Sequence, residues 1–407
     1  MPENQFTLPK GFSAGGVYCG VKSDATKLDL SLVVSDRPAV GVGVYTKNLV
    51  KAAPVLLDRE RTPGERFRAI VTNSGVANAC TGERGMQDAL RMTALVAESL
   101  SQAAPHEPVA PEQVLVMSTG VIGEHLPMDK IAAGIPAVVA DLGSDAAAVE
   151  RSARAIMTTD TVPKVRSRTV EIGGRRVTVS GVAKGAAMIG PNMATMLAAV
   201  LTDAPVAAAD AQPALAEAVD ESFHSISVDG HTSTNDTVLL LASGAAGGAP
   251  LAGRDLRAWV ATLVEVCEDL AVAIPTDGEG ADHLITVEVH GCATEADARR
   301  IGKTIADSPL VKTAVAGADP NWGRIVSAAG YAGVPFDPME VSLLINGALV
   351  YEKGTPVPFD EATVSDSIRS SRDTQLLLLL GEGHATARFW TTDLTAEYVR
   401  LNADYRT

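Results

Sequence analysis

Lys184-Gly185-Ala186-Ala187-Met188-Ile189-Gly190-Pro191-Asn192-Met193-Ala194-Thr195-Met196-Leu197 is an apolar, glycine-punctuated run that carries one threonine near its end. Its reading decides the rest. A hydroxyl is a poor nucleophile at neutral pH, but an amine with a pKa of about 8 beside it can take its proton. If the Ala194–Thr195 bond breaks, Thr195 gains such an amine and supplies nucleophile and base together. Small residues around it, Gly190 and Ala194, let a crowded turn approach other backbone closely. The plainer reading is that Thr195 opens an ordinary buried segment.

Further compact blocks lie on either side of this run. They are Asn73-Ser74-Gly75-Val76-Ala77-Asn78-Ala79-Cys80-Thr81-Gly82, Ser118-Thr119-Gly120-Val121-Ile122-Gly123 and Thr158-Thr159-Asp160-Thr161. Ser227-Val228-Asp229-Gly230, Thr232-Ser233-Thr234-Asn235-Asp236-Thr237, Asp277-Gly278-Glu279-Gly280-Ala281 and Asp319-Pro320-Asn321-Trp322-Gly323-Arg324 follow. The set resembles, in order and over nearly the whole chain, the ornithine acetyltransferases, or glutamate N-acetyltransferases, of the ArgJ family. That resemblance implies an αββα layered α/β fold, self-processing to an N-terminal threonine, with a smaller C-terminal α+β domain. It implies cleavage between Ala194 and Thr195 and acetyl transfer from N2-acetylornithine to glutamate in arginine biosynthesis. It also implies two copies of each cleaved chain in a heterotetramer.

Site residues follow from both sources. Thr119 and Gly120 match the family's oxyanion hole, and an exposed glycine turn can aim backbone N–H groups. Losing one such donor typically costs about 100- to 1,000-fold in rate; the competing reading is a polar turn after a strand. Lys184 is a lone cation in an apolar run, suited to a substrate carboxylate or to a structural ion pair. Glu279 sits in a glycine-flanked turn and could accept an ammonium, or simply face solvent. Thr158 is the matching substrate threonine, with Thr161 as its alternative. Asn402 and Thr407 match family binding positions, and the Thr407 carboxylate is a second ammonium partner; the competing reading of a terminus is fraying.

Two positions depart from the family pattern. His231 stands where Asp is usual, and Asp282-His283 replaces Thr-Lys. They bear on specificity, not on reaction class.

Composition bounds the remaining choices. The chain has 407 residues, 46% apolar but only 4% aromatic, with a formal net charge of −15. That charge argues against a general nucleic-acid binder. No run reaches the roughly 18 apolar residues that span a bilayer, and the start lacks a basic region followed by an apolar stretch. A cytoplasmic, membrane-free enzyme is expected. The four cysteines form no CxxC pair, so buried free thiols are expected, Cys80 included. The histidines form no HExxH, His283 and His290 read as surface residues, and Gly41-Val42-Gly43 lacks the third glycine of a dinucleotide fingerprint. Neither a metal nor a cofactor is expected, with acetyl-CoA entering only as a candidate substrate.

Periodicity supplies elements. Phe67 to Thr72 and Val114 to Met117 read as strands. Met86, Leu90, Ala94 and Ala97 recur at helical spacing, as do Leu256, Val260, Leu263, Cys267 and Leu270. Ser144 is read as the cap of a helix running to about Met157. Gly173-Gly174 and Asn346-Gly347 are hairpin signals. Residues 284–407 read as a C-terminal α+β domain after a catalytic domain over 1–283, with a tail returning to the site. Its segments Leu376 to Leu380 and His384 to Trp390 read as a strand pair, and Leu394 to Leu401 as a final helix. Two competing functions remain: an amidase or aminopeptidase of the same layered fold, and a non-catalytic binding protein that stays uncut.

Overall fold

The structure, a computed structural model, describes residues 6–190 and 196–404, the Asp404 side chain excepted. Ala194, Thr195 and Thr407 therefore lie outside the described residues. The first part of the chain runs β1 (Phe12–Val17), β2 (Leu30–Tyr45), α1 (Ala53–Arg61), β3 (Gly64–Val76), α2 (Gly82–Ala103), β4 (Val114–Val121), α3 (Met128–Ala140) and α4 (Ala146–Ile156). It continues with β5 (Lys164–Ile172), β6 (Arg175–Lys184), β7 (Leu197–Thr202), α5 (Ala208–Glu221), β8 (Thr237–Ala242) and α6 (Gly253–Thr276). The second part holds β9 (Leu284–Cys292), α7 (Glu295–Ala306), α8 (Pro309–Ala316), α9 (Trp322–Gly330), β10 (Ser342–Ile345) and β11 (Ala348–Glu352). It ends with β12 (Thr355–Pro356), α10 (Glu361–Arg369), β13 (Asp373–Leu379), β14 (Ala385–Thr392) and α11 (Ala396–Asp404).

One long strand makes the layers. β2 is 16 residues long and exposes Asp36, Arg37 and Pro38 at its middle, where its register with β3 shifts. Its first half pairs with β1 and β3, its second half with β8, and the sheet order is β4-β3-β2-β8-β7-β6-β5. The sheet thus doubles back on itself. Ile70, Leu115 and Met117 from one half meet Leu197, Leu201, Leu239 and Leu241 from the other in a single buried cluster, with Val149 and Ala153 of α4.

Because side chains alternate along a strand, the outward positions face helices. Val71 and Val116 pack on Met92, Val96 and Ile135 of α2 and α3. Val200 and Leu240 pack on Leu215, Trp259, Leu263 and Leu270 of α5 and α6. The arrangement is αββα. Strands buried on both faces explain why β8 reads Thr-Val-Leu-Leu-Leu-Ala rather than alternating. On α6, Trp259, Leu263, Val266, Leu270 and Ile274 recur at three and four residues and are fully buried. Each such side chain contributes about 1.5–3 kcal/mol of hydrophobic stabilisation.

The second sheet begins at Leu284 and runs β12-β11-β10-β13-β9-β14. Its core, with Ile285, Val287, Ile301, Ile325, Leu376 and Phe389, is separate from the three clusters above. The segments expected to pair with each other do not: β13 pairs parallel to β9, and β14 antiparallel to β9 on its other side. Alternation identifies both as strands, but it carries no information about which strand lies between them. The hairpins at Gly173-Gly174 and Asn346-Gly347 form as expected, β5 with β6 and β10 with β11. The α4 cap is one residue later than expected: Asp145, not Ser144, accepts from Ala148 N at 2.8 Å.

Candidate active site

The structure brings five expected residues to one cavity. Thr119, Gly120, Thr158, Glu279 and Asn402 all line a space of about 270 Å³, amino-acid scale rather than the roughly 300–1,000 Å³ of larger ligand sites. They come from β4, the loop after α4, the turn after α6 and α11. A wider cleft of about 1400 Å³ adjoins it and shares Thr158 and Glu279.

The glycine turn is held by its neighbours. β4 runs parallel to β3 with Gly75 opposite Gly120. Gly120 has φ +131°, and a Cβ there would lie 2.2 Å from the Gly75 carbonyl carbon, so only glycine fits. Asn235 donates from Nδ2 to Ala77 O at 2.6 Å and to Ser118 O at 2.8 Å, tying the two strand ends together. Ser118 Oγ donates to Asn73 Oδ1 at 2.6 Å behind it. Thr119 itself is buried.

Charge is arranged in depth. Lys184 ends β6, is 1% exposed, and donates from Nζ to Thr158 Oγ1 at 3.2 Å. Burial lowers its pKa from the usual lysine value, and the Asp160 charge opposes that shift. Asp160 accepts from Lys164 Nζ at 2.7 Å, Gly185 N at 2.7 Å and Thr158 N at 3.1 Å. Burial pulls the Asp160 carboxyl up, but Lys164 and Lys184 outweigh it and hold it below its ordinary value. Lys164 also donates to Asp277 at 2.6 Å. Asp277 in turn takes Thr161 N at 3.0 Å and the Thr161 hydroxyl. Thr158 therefore faces the small cavity, while Thr161 is bound to Asp277 and lines only the wider cleft.

The far wall comes from the C-terminal helix. Glu279 Oε2 accepts from Asn402 Nδ2 at 3.1 Å, and Glu279 N donates to Ala186 O at 2.9 Å. Tyr398 OH donates to Asp229 Oδ2 at 3.1 Å, and Thr395 Oγ1 donates to Gly280 O at 2.6 Å. Burial raises the Tyr398 pKa above the usual phenol value, with Asp229 adding to it. Asp229 also accepts from Met188 N at 2.7 Å and Ile189 N at 2.9 Å. Gly190 abuts the Gly230 backbone so closely that a Cβ would sit 2.5 Å from it, the close approach expected of this residue. Asp229, His231, Asn235 and Tyr398 line the cavity but were not expected as site residues. Asp229 and Asn235 belong to blocks read from the sequence and Tyr398 to its expected final helix; nothing in their spacing said which side chains turn inward.

Some expectations are corrected. His283 is not a surface residue: it is buried, with Nδ1 2.8 Å from Asp393 Oδ2 and Nε2 3.2 Å from Ile368 O. Cys80 is exposed rather than buried, and Cys19 is half-buried. Cys80 sits at φ +57° in the turn before α2. Among the described residues, no His, Cys, Asp and Glu group could hold a metal and no helix is long and apolar enough to cross a membrane.

The chain is thus an αββα layered protein with an amino-acid-sized cavity walled by β4, two turns and α11. The chain belongs to the ArgJ family, whose model matches residues 13–407. The arginine biosynthesis bifunctional protein ArgJ of Rhodopirellula baltica is 46% identical over 409 residues, covering 100% of this chain and 98% of its own. The protein of the same name from Symbiobacterium thermophilum is 48% identical over 404 residues, 98% of each chain. A crystal structure of arginine biosynthesis bifunctional protein argJ from Bacillus halodurans is 39% identical, covers 50% of this chain and 96% of its own, and has a TM-score of 0.49.

Proposed function

We propose that this acyltransferase of arginine biosynthesis moves acetyl from N2-acetylornithine to glutamate through an acetyl ester on Thr195. The observation that carries the reading is the meeting of Thr119, Gly120, Thr158, Glu279 and Asn402 in one cavity, although they lie far apart in sequence. In maturation the Thr195 hydroxyl attacks the Ala194 carbonyl carbon. The C–N bond breaks, an ester forms, and water hydrolyses it to leave the Ala194 carboxylate and a free Thr195 amine. That amine then takes the hydroxyl proton as the oxygen attacks the acetyl carbonyl. Thr119 and Gly120 stabilise the oxyanion, ornithine leaves with the proton on its amine, and the glutamate amine collects the acetyl group.

Lys184, acting through Thr158, faces the substrate carboxylate, and Glu279 with Asn402 faces the ammonium, joined by the Thr407 carboxylate. No cofactor is needed, since one residue supplies nucleophile and base. The adjoining cleft has room for a bulkier donor, which supports acetyl-CoA as a second source of acetyl. The mature enzyme is a heterotetramer of two copies of each chain in the cytoplasm. Hydrolysis by an amidase is the less favoured reading, because whole-length relatives carry an arginine-biosynthesis name.

A denaturing gel of active protein tests this. Two fragments should appear, the second beginning Thr-Met-Leu-Ala, and Thr195→Ala should remain a single inactive chain. An intact 407-residue polypeptide in active protein would overturn the reading.

A further inference from the structure

Met196 and Asp236 each stand one residue before a strand. β7 and β8 are parallel, with Leu197 opposite Thr237. Just ahead of that ladder, Met196 N donates to Asp236 Oδ1 at 3.2 Å and Thr237 N donates to Met196 O at 3.2 Å. Met196 N is the nitrogen of the Thr195–Met196 peptide. The Asp236 carboxyl therefore grips the bond immediately after Thr195.

The upstream side is gripped differently. Asp229 holds the N–H groups of Met188 and Ile189. Ile189 O accepts from Val228 N at 2.8 Å, Gly230 N at 3.0 Å and Asp229 N at 3.1 Å. This second anchor lies five residues before Ala194 in the chain, whereas Asp236 acts on the peptide of Thr195 itself.

We propose that Asp236 is a positioning residue for Thr195, fixing the nucleophile's peptide for both self-cleavage and acetyl transfer. The inference rests on the self-cleavage reading above. A simple strand-end cap is the alternative, but such caps are ordinarily solvated. Asp236 is 0% exposed, and its Oδ2 has no hydrogen-bond partner among the described residues. Burying a carboxyl is costly; burial pushes its pKa up to about 8, against the opposing pull of Met196, Thr46, Lys184 and Ser233.

The test is a ranking of four proteins: wild type, Asp236→Asn, Asp236→Glu and Asp236→Ala. Each is scored for the fraction cut, for kcat and KM with acetylornithine, and for cooperative thermal unfolding. Asparagine keeps an acceptor oxygen in place without charge. Glutamate keeps the carboxyl and moves its oxygens by one carbon. The expected order of cleavage rate and kcat is wild type, then Asn, then Glu and Ala about 100-fold down, the scale of loss for a misplacement near 1 Å. KM should hardly change. Glutamate outperforming asparagine would overturn the proposal, because the carboxyl group and not the placement of its oxygen would then matter. Alanine cutting and turning over like wild type would also overturn it, as would a change in KM alone. Wild type that is active but uncut would instead sink the self-cleavage reading, and this inference with it.

Discussion

Two buried acids, Asp236 and Asp160, have their pKa values moved in opposite senses. Asp236 is pushed up to about 8 by burial, so between roughly pH 4 and 8 the folded chain holds a proton that the unfolded chain has released. Its contribution to stability is present below the unfolded pKa and is lost as pH rises through about 8. Asp160 is held below its ordinary value by Lys164 and Lys184 despite burial. Its contribution is present above the unfolded value and is lost as pH falls through the folded one. Denaturant unfolding from pH 6 to 8.5 should therefore show wild type losing stability relative to Asp236→Asn as pH rises. Glu279 carries a second expectation. It is half-buried and bonded to Asn402, so solvent screening limits its pull on an ammonium. Glu279→Gln should raise KM for acetylornithine about tenfold, or roughly 1.4 kcal/mol, and affect acetyl donors without the ammonium much less. Equal losses for both donors in steady-state assays would assign Glu279 to the chemical step or the fold.

At the scale of elements, α11 is the wall that the rest of the chain must receive. Gly280 receives it. Its φ is +64°, and a Cβ would lie 2.5 Å from Tyr398 N. Gly280→Ala should push α11 off the turn, displacing Asn402 and Tyr398 from the cavity. KM for acetylornithine is expected to rise at least severalfold while kcat changes less, because Thr119 and Gly120 belong to β4 on another wall. A loss in kcat with KM intact would show that α11 serves catalysis and not binding. The β9, β13 and β14 arrangement teaches the limit of local pattern at this scale. Leu376 to Leu380 and His384 to Trp390 both read as strands, yet each found β9 as partner. Pairing is decided by which edge stays open after the other strands have docked, and no short window of sequence records that.

Across the whole molecule, the Ala194–Thr195 position falls between two paired strands of one sheet. β6 precedes it and β7 follows it, joined antiparallel from Val179–Thr202 to Lys184–Leu197. β8, also downstream, pairs with β2 from the upstream half. Cutting between 194 and 195 would leave this ladder and the shared inner cluster intact. The two fragments should therefore elute together in native size-exclusion chromatography and separate only in denaturant. Fragments that part under native conditions would contradict the shared sheet.

The family was legible in the chain: the Thr195 run, the Ser118-Thr119-Gly120 turn and the Asp277-to-Gly280 turn stand out because each sets particular residue types close together. The sequence by itself also determined strands and helices where apolar spacing was regular, as on α6, and hairpins where Gly173-Gly174 and Asn346-Gly347 demanded one turn. Only the tertiary structure decided what depends on contacts between distant segments. It bent β2 so that one sheet became two layers, put β9 between β13 and β14, and buried His283 against Asp393. It turned Asp229, Asn235 and Tyr398 toward the cavity and buried Asp236 against Met196 N. The physical reason is range: propensity and periodicity act over a few residues, whereas burial, partner strand and charge environment are set by segments that meet only when the chain has folded.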